Sequence, residues 1–329
     1  MSGQHPSQAP TERREAARVA VVVPSYNHAP FVAQAVRSVF HQTLRPAELL
    51  VIDDGSADDS ARVVAEALKD CPFACELIAR ENRGLCATLN EGLAKTRGDY
   101  FAYLGSDDLW LPDFLAARVQ ALEERARAVL AYGHAFLIDE RGAVFDCTAD
   151  WAAYADGDAR AMLLEHAIAP MSPTVLYRRT PLERRGWNER ARLEDYELYL
   201  LLSADGEFAF DPRVLSAWRR HTSNTSRDFV WMIEARLEAQ RGVADELKLS
   251  DAELWRYQRA LNFAGAEDLL RLGDKARALH FLRRGLGGAP STAALARVFL
   301  RLIAPHSLTR RRKRRTAERA ARRYGSPLT

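Results

Sequence analysis

Two pairs of adjacent aspartates in the first third of the chain have the residue types of a site that binds a nucleotide or a metal ion. One pair belongs to Asp-Asp-Gly-Ser at residues 53–56, and the other to Gly-Ser-Asp-Asp at residues 105–108. Carboxylates bind hard divalent cations through oxygen, and they accept hydrogen bonds from the imide-type edge of a base. Each pair alone is also ordinary turn and helix-cap chemistry. Whether the two pairs lie close together in the fold therefore decides between the two interpretations.

A third acidic pair, Glu194 and Asp195, lies at the predicted start of a helix. A carboxylate within hydrogen-bond reach of an attacking hydroxyl can take its proton as a general base. The alternative is that both residues place negative charge in the first turn of the helix, where it contributes at most about 1 kcal/mol of stability. Asp195 is the candidate base under the first interpretation.

Hydrophobic periodicity predicts the elements that position these acidic pairs. Short β-branched runs alternate with helical patterns from Arg18 to Leu104, which indicates consecutive βα units and a mainly parallel sheet. Open α/β sheets bind ligands outside the carboxyl ends of their strands, so the loops after the second and fourth strands should face one cleft. The predicted strands are Val19–Val23, Leu49–Ile52, Glu76–Ala79 and Tyr100–Leu104.

Helices are predicted between these strands and again toward the end of the chain. Ser56 with Asp59 predicts the N-terminal cap of a helix that carries Val63 and Val64, and a further helix is predicted at about residues 85–95. The pattern loosens after Trp110, and residues 229–324 are almost entirely helical in pattern. An earlier apolar helix face consists of Val32, Ala35, Val36, Val39 and Phe40.

The chain divides into four predicted segments. Residues 1–16 are polar and lack an apolar centre, so we expect a disordered lead-in instead of a secretory signal. Residues 17–225 are predicted to form the sheet domain, residues 226–308 a helical C-terminal region, and residues 309–329 a basic tail. The length of 329 residues suits one large domain with such an appendage.

Composition excludes several classes of protein. Hydrophobic residues at 47% and charged residues at 28% are ordinary for a globular protein, and no apolar run is long enough to span a bilayer. We therefore expect a cytoplasmic protein. The four cysteines show no C-x-x-C spacing, which argues against a zinc site or a disulfide framework.

Five motifs in a fixed order resemble the family 2 inverting glycosyltransferases of the GT-A fold, of the bacterial cell-surface or exopolysaccharide type. They are Pro-Ser-Tyr-Asn at 24–27, Asp-Asp-Gly-Ser at 53–56, Glu-Asn-Arg-Gly at 81–84, Gly-Ser-Asp-Asp at 105–108 and Glu-Asp at 194–195. The motifs extend over about half of the chain. The resemblance implies a Rossmann-like, mainly parallel sheet flanked by helices. It also implies transfer of one sugar, with inversion, from a nucleotide-diphosphate sugar to an acceptor hydroxyl.

The resemblance further implies roles for individual residues. A nucleotide base is expected on Asp54, with Tyr26 and Pro24 beside it and Arg83 in contact with the donor. The diphosphate is expected near Ser106, Asp107 and Arg219, and Asp195 is expected to be the base. The residues expected to hold Mg²⁺ or Mn²⁺ are Asp107, Asp108 and His221.

One departure from the family pattern concerns the metal motif. Family members commonly have Asp-x-Asp there, and this chain has Gly105 at the position of the first aspartate. The donor contact usually made by that aspartate, near the ribose, is therefore missing. Arg219 and His221 lie in a Trp-Arg-Arg-His segment that is equally ordinary on a protein surface.

The end of the chain combines an apolar stripe with a block of positive charge. The stripe runs from Ala294 to Ile303, and residues 310–315 are six consecutive basic residues. Residues 310–323 carry +8, and subtracting this from the net +3 leaves −5 for the rest. A basic block beside an amphipathic helix suits the anionic inner face of a membrane. Ordinary helix packing and a solvated tail are the alternatives, and nucleic acid ranks lower because no aromatic platform accompanies the block.

Other functions remain open on the sequence alone. A nucleotidyltransferase also uses a Rossmann-like sheet, but its Gly-rich first loop is absent from residues 24–30. A non-catalytic scaffold that binds nucleotide sugars is the alternative that Gly105 favours. The acceptor is expected to be a glycan or a lipid-linked molecule, as in cell-surface polysaccharide synthesis.

Overall fold

The N-terminal third of the chain folds into alternating strands and helices, as its hydrophobic pattern predicts. The computed structural model describes residues 18–222, Asn224 and residues 228–325. The predicted lead-in at 1–16 and the predicted boundary at 225 and 226 lie outside the described residues. The elements are β1 (Val19–Ser25), α1 (Val32–Phe40), β2 (Glu48–Asp53), α2 (Ser60–Leu68), β3 (Cys75–Ala79), α3 (Leu85–Lys95) and β4 (Tyr100–Tyr103).

The predicted helix cap at Ser56 is wrong. Helix α2 begins four residues later, at Ser60, because the Ser56 hydroxyl donates to Asp53 Oδ2 at 2.7 Å instead of capping the helix. Asp58 Oδ1 accepts the backbone N–H of Ser60 at 3.0 Å at the start of the helix.

The predicted face of α1 is confirmed for Val32, Ala35, Val36 and Val39, which are all buried.

The middle of the chain contains strands that its sequence pattern does not show. Strand β6 is buried along nearly its whole length, so its apolar residues form a continuous run without a period of two. The elements are β5 (Leu109–Trp110), α4 (Phe114–Glu124), β6 (Ala128–Ile138), β7 (Val144–Cys147), α5 (Arg160–Leu164), β8 (Leu176–Arg178), α6 (Arg179–Arg185), α7 (Glu194–Asp205) and β9 (Glu207–Arg219).

The nine strands of the described residues form one mixed sheet in the order β3-β2-β1-β4-β8-β6-β9-β5, with β7 paired to β6. The first four strands pair in parallel, and so do β6 and β9. Strand β8 is antiparallel to both of its neighbours. Parallel pairing therefore dominates the N-terminal half of the sheet, where the carboxyl ends of β1, β2 and β4 lie side by side.

A helical region completes the described chain. Ala235 and Ala239 of its first helix pack into the main core, whereas Ile233 and Leu237 of the same helix pack into a separate helical core. No helix in the described residues is long and apolar enough to cross a membrane. The helices are α8 (Phe229–Gly242), α9 (Asp251–Leu272), α10 (Lys275–Gly285), α11 (Thr292–Ile303) and α12 (His306–Tyr324).

Helix α12 contains most of the predicted basic tail and returns to the sheet. Ala320 is buried against β6 and β7, and the ring of Tyr324 lies 5.2 Å from that of Phe136. Asp150 accepts hydrogen bonds from Arg323 at 2.7 Å and from the Tyr324 hydroxyl at 3.0 Å. The end of the helix is therefore anchored to the sheet domain.

Candidate functional site

The carboxyl ends of β1, β2 and β4 open into one cleft of about 2330 Å³. The structure thus brings both acidic loops together, as the strand order requires. Met171 and Ser172 line the same cleft, and so do residues of α8, α9 and α12. Its wall includes the predicted site residues Pro24, Tyr26, Asp54, Arg83, Ser106, Asp107, Asp108 and Asp195.

Asp54 is held at one end of the cleft by backbone donors. Its Oδ1 accepts the N–H of Arg83 and its Oδ2 accepts the N–H of Gly84, each at 2.8 Å. Tyr26 lies in the neighbouring loop with 49% of its surface exposed, so its ring is available to a flat ligand. Asp53 plays a different part, because both of its oxygens bind Ser56 and close the turn.

The turn between these residues depends on glycine. Gly55 has a φ of +78°, and a Cβ there would lie 2.7 Å from the backbone nitrogen of Asn82. A side chain at this position would therefore push apart the two loops that hold Asp54.

A cluster of His28, Asp107 and His221 lies beyond the end of β4. One ligand atom of each residue lies within 4.8 Å of the others, which is close enough for all three to bind one metal ion. His221 Nε2 lies 2.8 Å from Asp107 Oδ2, and His28 Nδ1 lies 3.9 Å from Asp107 Oδ1. Asn224 donates to the same Oδ2 at 3.1 Å.

The protonation of this cluster suits a cation. Burial lowers the pKa of His28, which favours its neutral imidazole. Burial by itself raises the pKa of Asp107, but the hydrogen bond with His221 and the charges that His28 and His221 carry when protonated outweigh it and hold this pKa below its usual range. The cluster thus offers the side chains of two histidines and one aspartate.

Asp108 does not join the metal cluster, contrary to the sequence prediction. Its Oδ1 accepts the backbone N–H of Arg219 at 2.8 Å, and its side chain is buried. Burial, followed by the charge of Asp107, raises the pKa of Asp108 well above its usual range. Asp108 therefore ties the end of β9 to the metal loop.

Arg219 does not face the cleft either, although the sequence predicted a phosphate contact. Its guanidinium donates to the backbone oxygens of Asp107 at 2.8 Å and Asp139 at 3.2 Å and to the side chain of Gln34 at 2.7 Å. It also lies over the ring of Phe31, and the residue is only 1% exposed. These contacts occupy the donors that a phosphate would need.

A side chain at Gly105, where family members commonly have an aspartate, would crowd the carboxylates of Asp107 and Asp108. A Cβ at this position would lie 2.9 Å from Asp107 Oδ1 and 3.1 Å from Asp108 Oδ2. His28 instead approaches the loop from β1, with its Nδ1 2.8 Å from Ser106 Oγ. His28 and Asn224 are the candidate functional residues that sequence analysis missed. In the sequence, His28 is indicated only by its place in the loop after β1, and Asn224 only by its closeness to His221 along the chain.

Glu194 and Asp195 begin α7 and line the cleft. The hydroxyl of Tyr103, two residues before Gly105, donates to Glu194 Oε1 at 3.4 Å. Burial and then the charge of Asp195 raise the pKa of Glu194 to about 8. Burial also raises the pKa of Asp195, while the charge of Arg236 opposes the shift. With a pKa of about 8, Glu194 is mostly protonated at neutral pH, and the charge of Arg236 favours the ionised form of Asp195.

A parallel βα half-sheet with the Asp54 pocket and the His28–Asp107–His221 cluster beyond its carboxyl edge is typical of the GT-A class. The chain belongs to glycosyltransferase family 2, because the sequence profile described as "Glycosyl transferase family 2" matches residues 20–186. This confirms the resemblance drawn from the five motifs.

Individual relatives agree with this assignment. The chain is 28% identical over 170 residues to the uncharacterized glycosyltransferase alr2836 of Nostoc sp., covering 51% of this chain and 52% of the relative. It is 26% identical over 209 residues to chondroitin synthase of Escherichia coli, covering 63% of this chain and 30% of the relative. The chain thus spans about half or less of these curated relatives.

Solved structures confirm the fold class. TarS of S. aureus, residues 1–349 in complex with UDP, has a TM-score of 0.56 at 13% identity, covering 93% of this chain and 91% of that one. The mannosyltransferase PcManGT of Pyrobaculum calidifontis, in complex with GDP-Man and Mn²⁺, has a TM-score of 0.57 at 20% identity, covering 93% and 86%.

Proposed function

We propose that this chain is an inverting, metal-dependent glycosyltransferase that moves one sugar from a nucleotide-diphosphate sugar to an acceptor hydroxyl. The placement of Asp54 and the His28–Asp107–His221 cluster carries this proposal. Strands β2 and β4 flank β1, and neighbouring strands are about 4.8 Å apart, so the two sites are separated by roughly 10 Å. A ribose bridges such a gap between a base on Asp54 and a diphosphate at the cluster.

The donor set favours Mn²⁺ over Mg²⁺. Mg²⁺ is bound mainly through oxygen, whereas two imidazoles and one carboxylate suit a transition-metal ion better. When bound, the ion would neutralise charge on the departing nucleoside diphosphate. The complex of PcManGT with GDP-Man and Mn²⁺ supports this choice.

Asp195 is the residue that takes the acceptor proton. As the acceptor oxygen bonds to the anomeric carbon, the bond to the diphosphate breaks, and the proton of the hydroxyl passes to Asp195. A single displacement of this kind inverts the anomeric centre. Because the neighbouring Glu194 is protonated, it adds no second negative charge beside Asp195. The charge of Arg236 favours the ionised form of Asp195.

We also propose that the protein works at an anionic membrane surface, on a lipid-linked or glycan acceptor in cell-surface polysaccharide synthesis. Four large apolar side chains near the α11–α12 junction are exposed, and the basic run of α12 follows them directly. Apolar side chains beside basic ones are the combination that such surfaces bind. The four residues are Phe299, Leu300, Ile303 and Leu308.

Release of nucleoside diphosphate from UDP-, dTDP- and GDP-sugars tests the enzymatic proposal. Release should require Mn²⁺ or Mg²⁺ and stop in excess EDTA. Asp107→Ala should abolish it, whereas Asp245→Ala, at an exposed site outside the cleft, should not. Release that persists in EDTA would exclude the metal-dependent mechanism. Donor binding without any release or transfer would leave the non-catalytic scaffold as the function.

A further inference from the structure

Resting on the proposed nucleotide-sugar donor, we propose that Arg80 limits Asp54 to one acceptor position in the cleft. The chain would then prefer a donor whose base is a pyrimidine imide, uracil or thymine, over one that carries guanine. Arg80 lies outside the five motifs and acts here as a positioning residue.

The hydrogen bonds of Asp54 can be counted. An ionised carboxylate has about four acceptor positions, two on each oxygen. Oδ1 accepts from the Arg80 guanidinium and from the N–H of Arg83, and Oδ2 accepts from the N–H of Gly84. Within the part of the chain that the structure describes, one position on Oδ2 is left.

Arg80 is held firmly in this arrangement. Its guanidinium donates to Glu91 Oε2 at 2.9 Å, to Thr88 Oγ1 at 2.8 Å and to the backbone oxygen of Glu81 at 2.8 Å. Its side chain is 15% exposed and does not line the cleft. Because these three further hydrogen bonds hold the guanidinium in place, the position that it takes on Asp54 stays taken when a ligand enters.

The bases differ in what they present to such a carboxylate. Uracil and thymine present one N–H between two carbonyl groups, which matches one acceptor position. Guanine presents two adjacent donors that need both oxygens, so one donor would be buried without a partner. Adenine and cytosine would turn a ring nitrogen lone pair toward the carboxylate, which repels it.

Two donors near Asp54 suit the carbonyl groups that flank the imide. The Arg83 side chain is 55% exposed and lines the cleft. Ser25 is 1% exposed, lines the same cleft, and its hydroxyl has no hydrogen-bond partner among the described residues. The backbone oxygen of Ser25 accepts the N–H of Asp54 at 2.8 Å, so the two residues are neighbours at the end of the cleft.

Calorimetric titration of the full chain in Mn²⁺ with UDP, dTDP, GDP, ADP, CDP and 3-methyl-UDP tests this inference. UDP and dTDP should bind at least about tenfold more tightly than GDP, ADP and CDP, which is the effect of one buried unpaired donor. Methylation of N3 removes the imide N–H, so 3-methyl-UDP should bind at least about tenfold more weakly than UDP. A preference below tenfold in either comparison overturns the inference. Failure of all nucleotides to bind would instead overturn the proposed function.

Arg80→Met tests the role of Arg80 separately. It reopens a position on Oδ1, so the ratio of GDP to UDP affinity should rise by about tenfold or more. Arg62→Met removes an exposed arginine of α2 and should leave the ratio unchanged. An unchanged ratio in folded Arg80→Met overturns the role of Arg80. If that variant does not fold, the 3-methyl-UDP comparison on the natural chain still decides the base.

Discussion

His28 and Gly105 lie at the proposed metal cluster, where three possible ligand groups come together without an aspartate at residue 105. The position that commonly carries an aspartate is a glycine, and the imidazole of His28 approaches Asp107 from the loop after β1. Because His28 also contacts Ser106, the loop after β1 and the loop after β4 depend on each other. The proposed metal site is therefore assembled from three separate parts of the chain.

Asp195→Asn tests the general base. Asparagine keeps the shape of the side chain but has no proton affinity, so turnover should fall by about 10² to 10⁴ while donor binding survives. Glu197→Gln is the matched control, since it removes a charge from the same first turn of α7. Turnover by Asp195→Asn above about a tenth of the natural rate would move the base elsewhere, and Glu194 is the next candidate.

Glu194→Gln tests the protonation of the acidic pair. The folded-state pKa of Glu194, about 8, lies above its ordinary value of 4.5. The stability from the protonated side chain is therefore full below about pH 4.5 and is lost as the pH rises through about 8. Glutamine cannot ionise, so the melting temperature of the variant relative to the natural chain should rise across this window. A constant difference between the two melting curves would refute the raised pKa.

Helix α12 differs from the sequence prediction in the structure of its basic run. The basic run predicted as a tail is part of a helix whose last turn is held by Asp150 and Phe136. The first turns of α12 carry exposed Arg311, Arg314 and Arg315 next to the exposed apolar side chains of α11. The C-terminal end of α12 is thus anchored to the sheet domain, and its N-terminal half exposes basic side chains.

Replacing Arg311, Arg314 and Arg315 with glutamine tests membrane association while keeping the anchored end. Flotation with anionic vesicles should fall, because these charges attract anionic lipids at about 1 kcal/mol each. Added salt should weaken binding of the natural chain, since exposed charges are screened within about 10 Å at 0.1 M. Glutamine at Arg277, Arg283 and Arg284 of α10 is the matched control. Equal flotation of both variants would exclude this surface.

Residues from the sheet loops and from the C-terminal helices line one cleft. Arg236 of α8, Asp268 of α9 and Arg314 of α12 line the same cleft as the metal cluster, so the helical region forms one wall of the site. Part of the basic charge of the chain therefore faces the space where an acceptor would lie.

Ala320→Asp tests this arrangement at the scale of the whole molecule. A charged side chain placed against Phe136 and Ile138 without a partner should detach α12 from the sheet. Amide hydrogen exchange in α12 should then accelerate, and the core strands should keep their protection. Ala321→Asp, at an exposed position of the same helix, is the control. Equal exchange in the two variants would show that this contact does not hold the helix.

Sequence alone determined the N-terminal βα units, the helical character of the C-terminal region and the family. Short β-branched strands and amphipathic helices are local patterns, so Val19–Ser25 and Leu85–Lys95 could be predicted almost to the residue. The two acidic loops could be placed in one cleft, because the carboxyl ends of parallel strands meet at the same edge.

Only the tertiary structure decided which side chains meet. His28 and Asp107 are far apart in sequence, and no local pattern reports a contact between them. Asp108 and Arg219 were expected at the ligand, but packing between β9 and the metal loop takes up their hydrogen bonds. Strand β6 was missed because burial on both faces removes its alternation. Periodicity reports which face of an element is buried, whereas a site depends on which distant elements pack together.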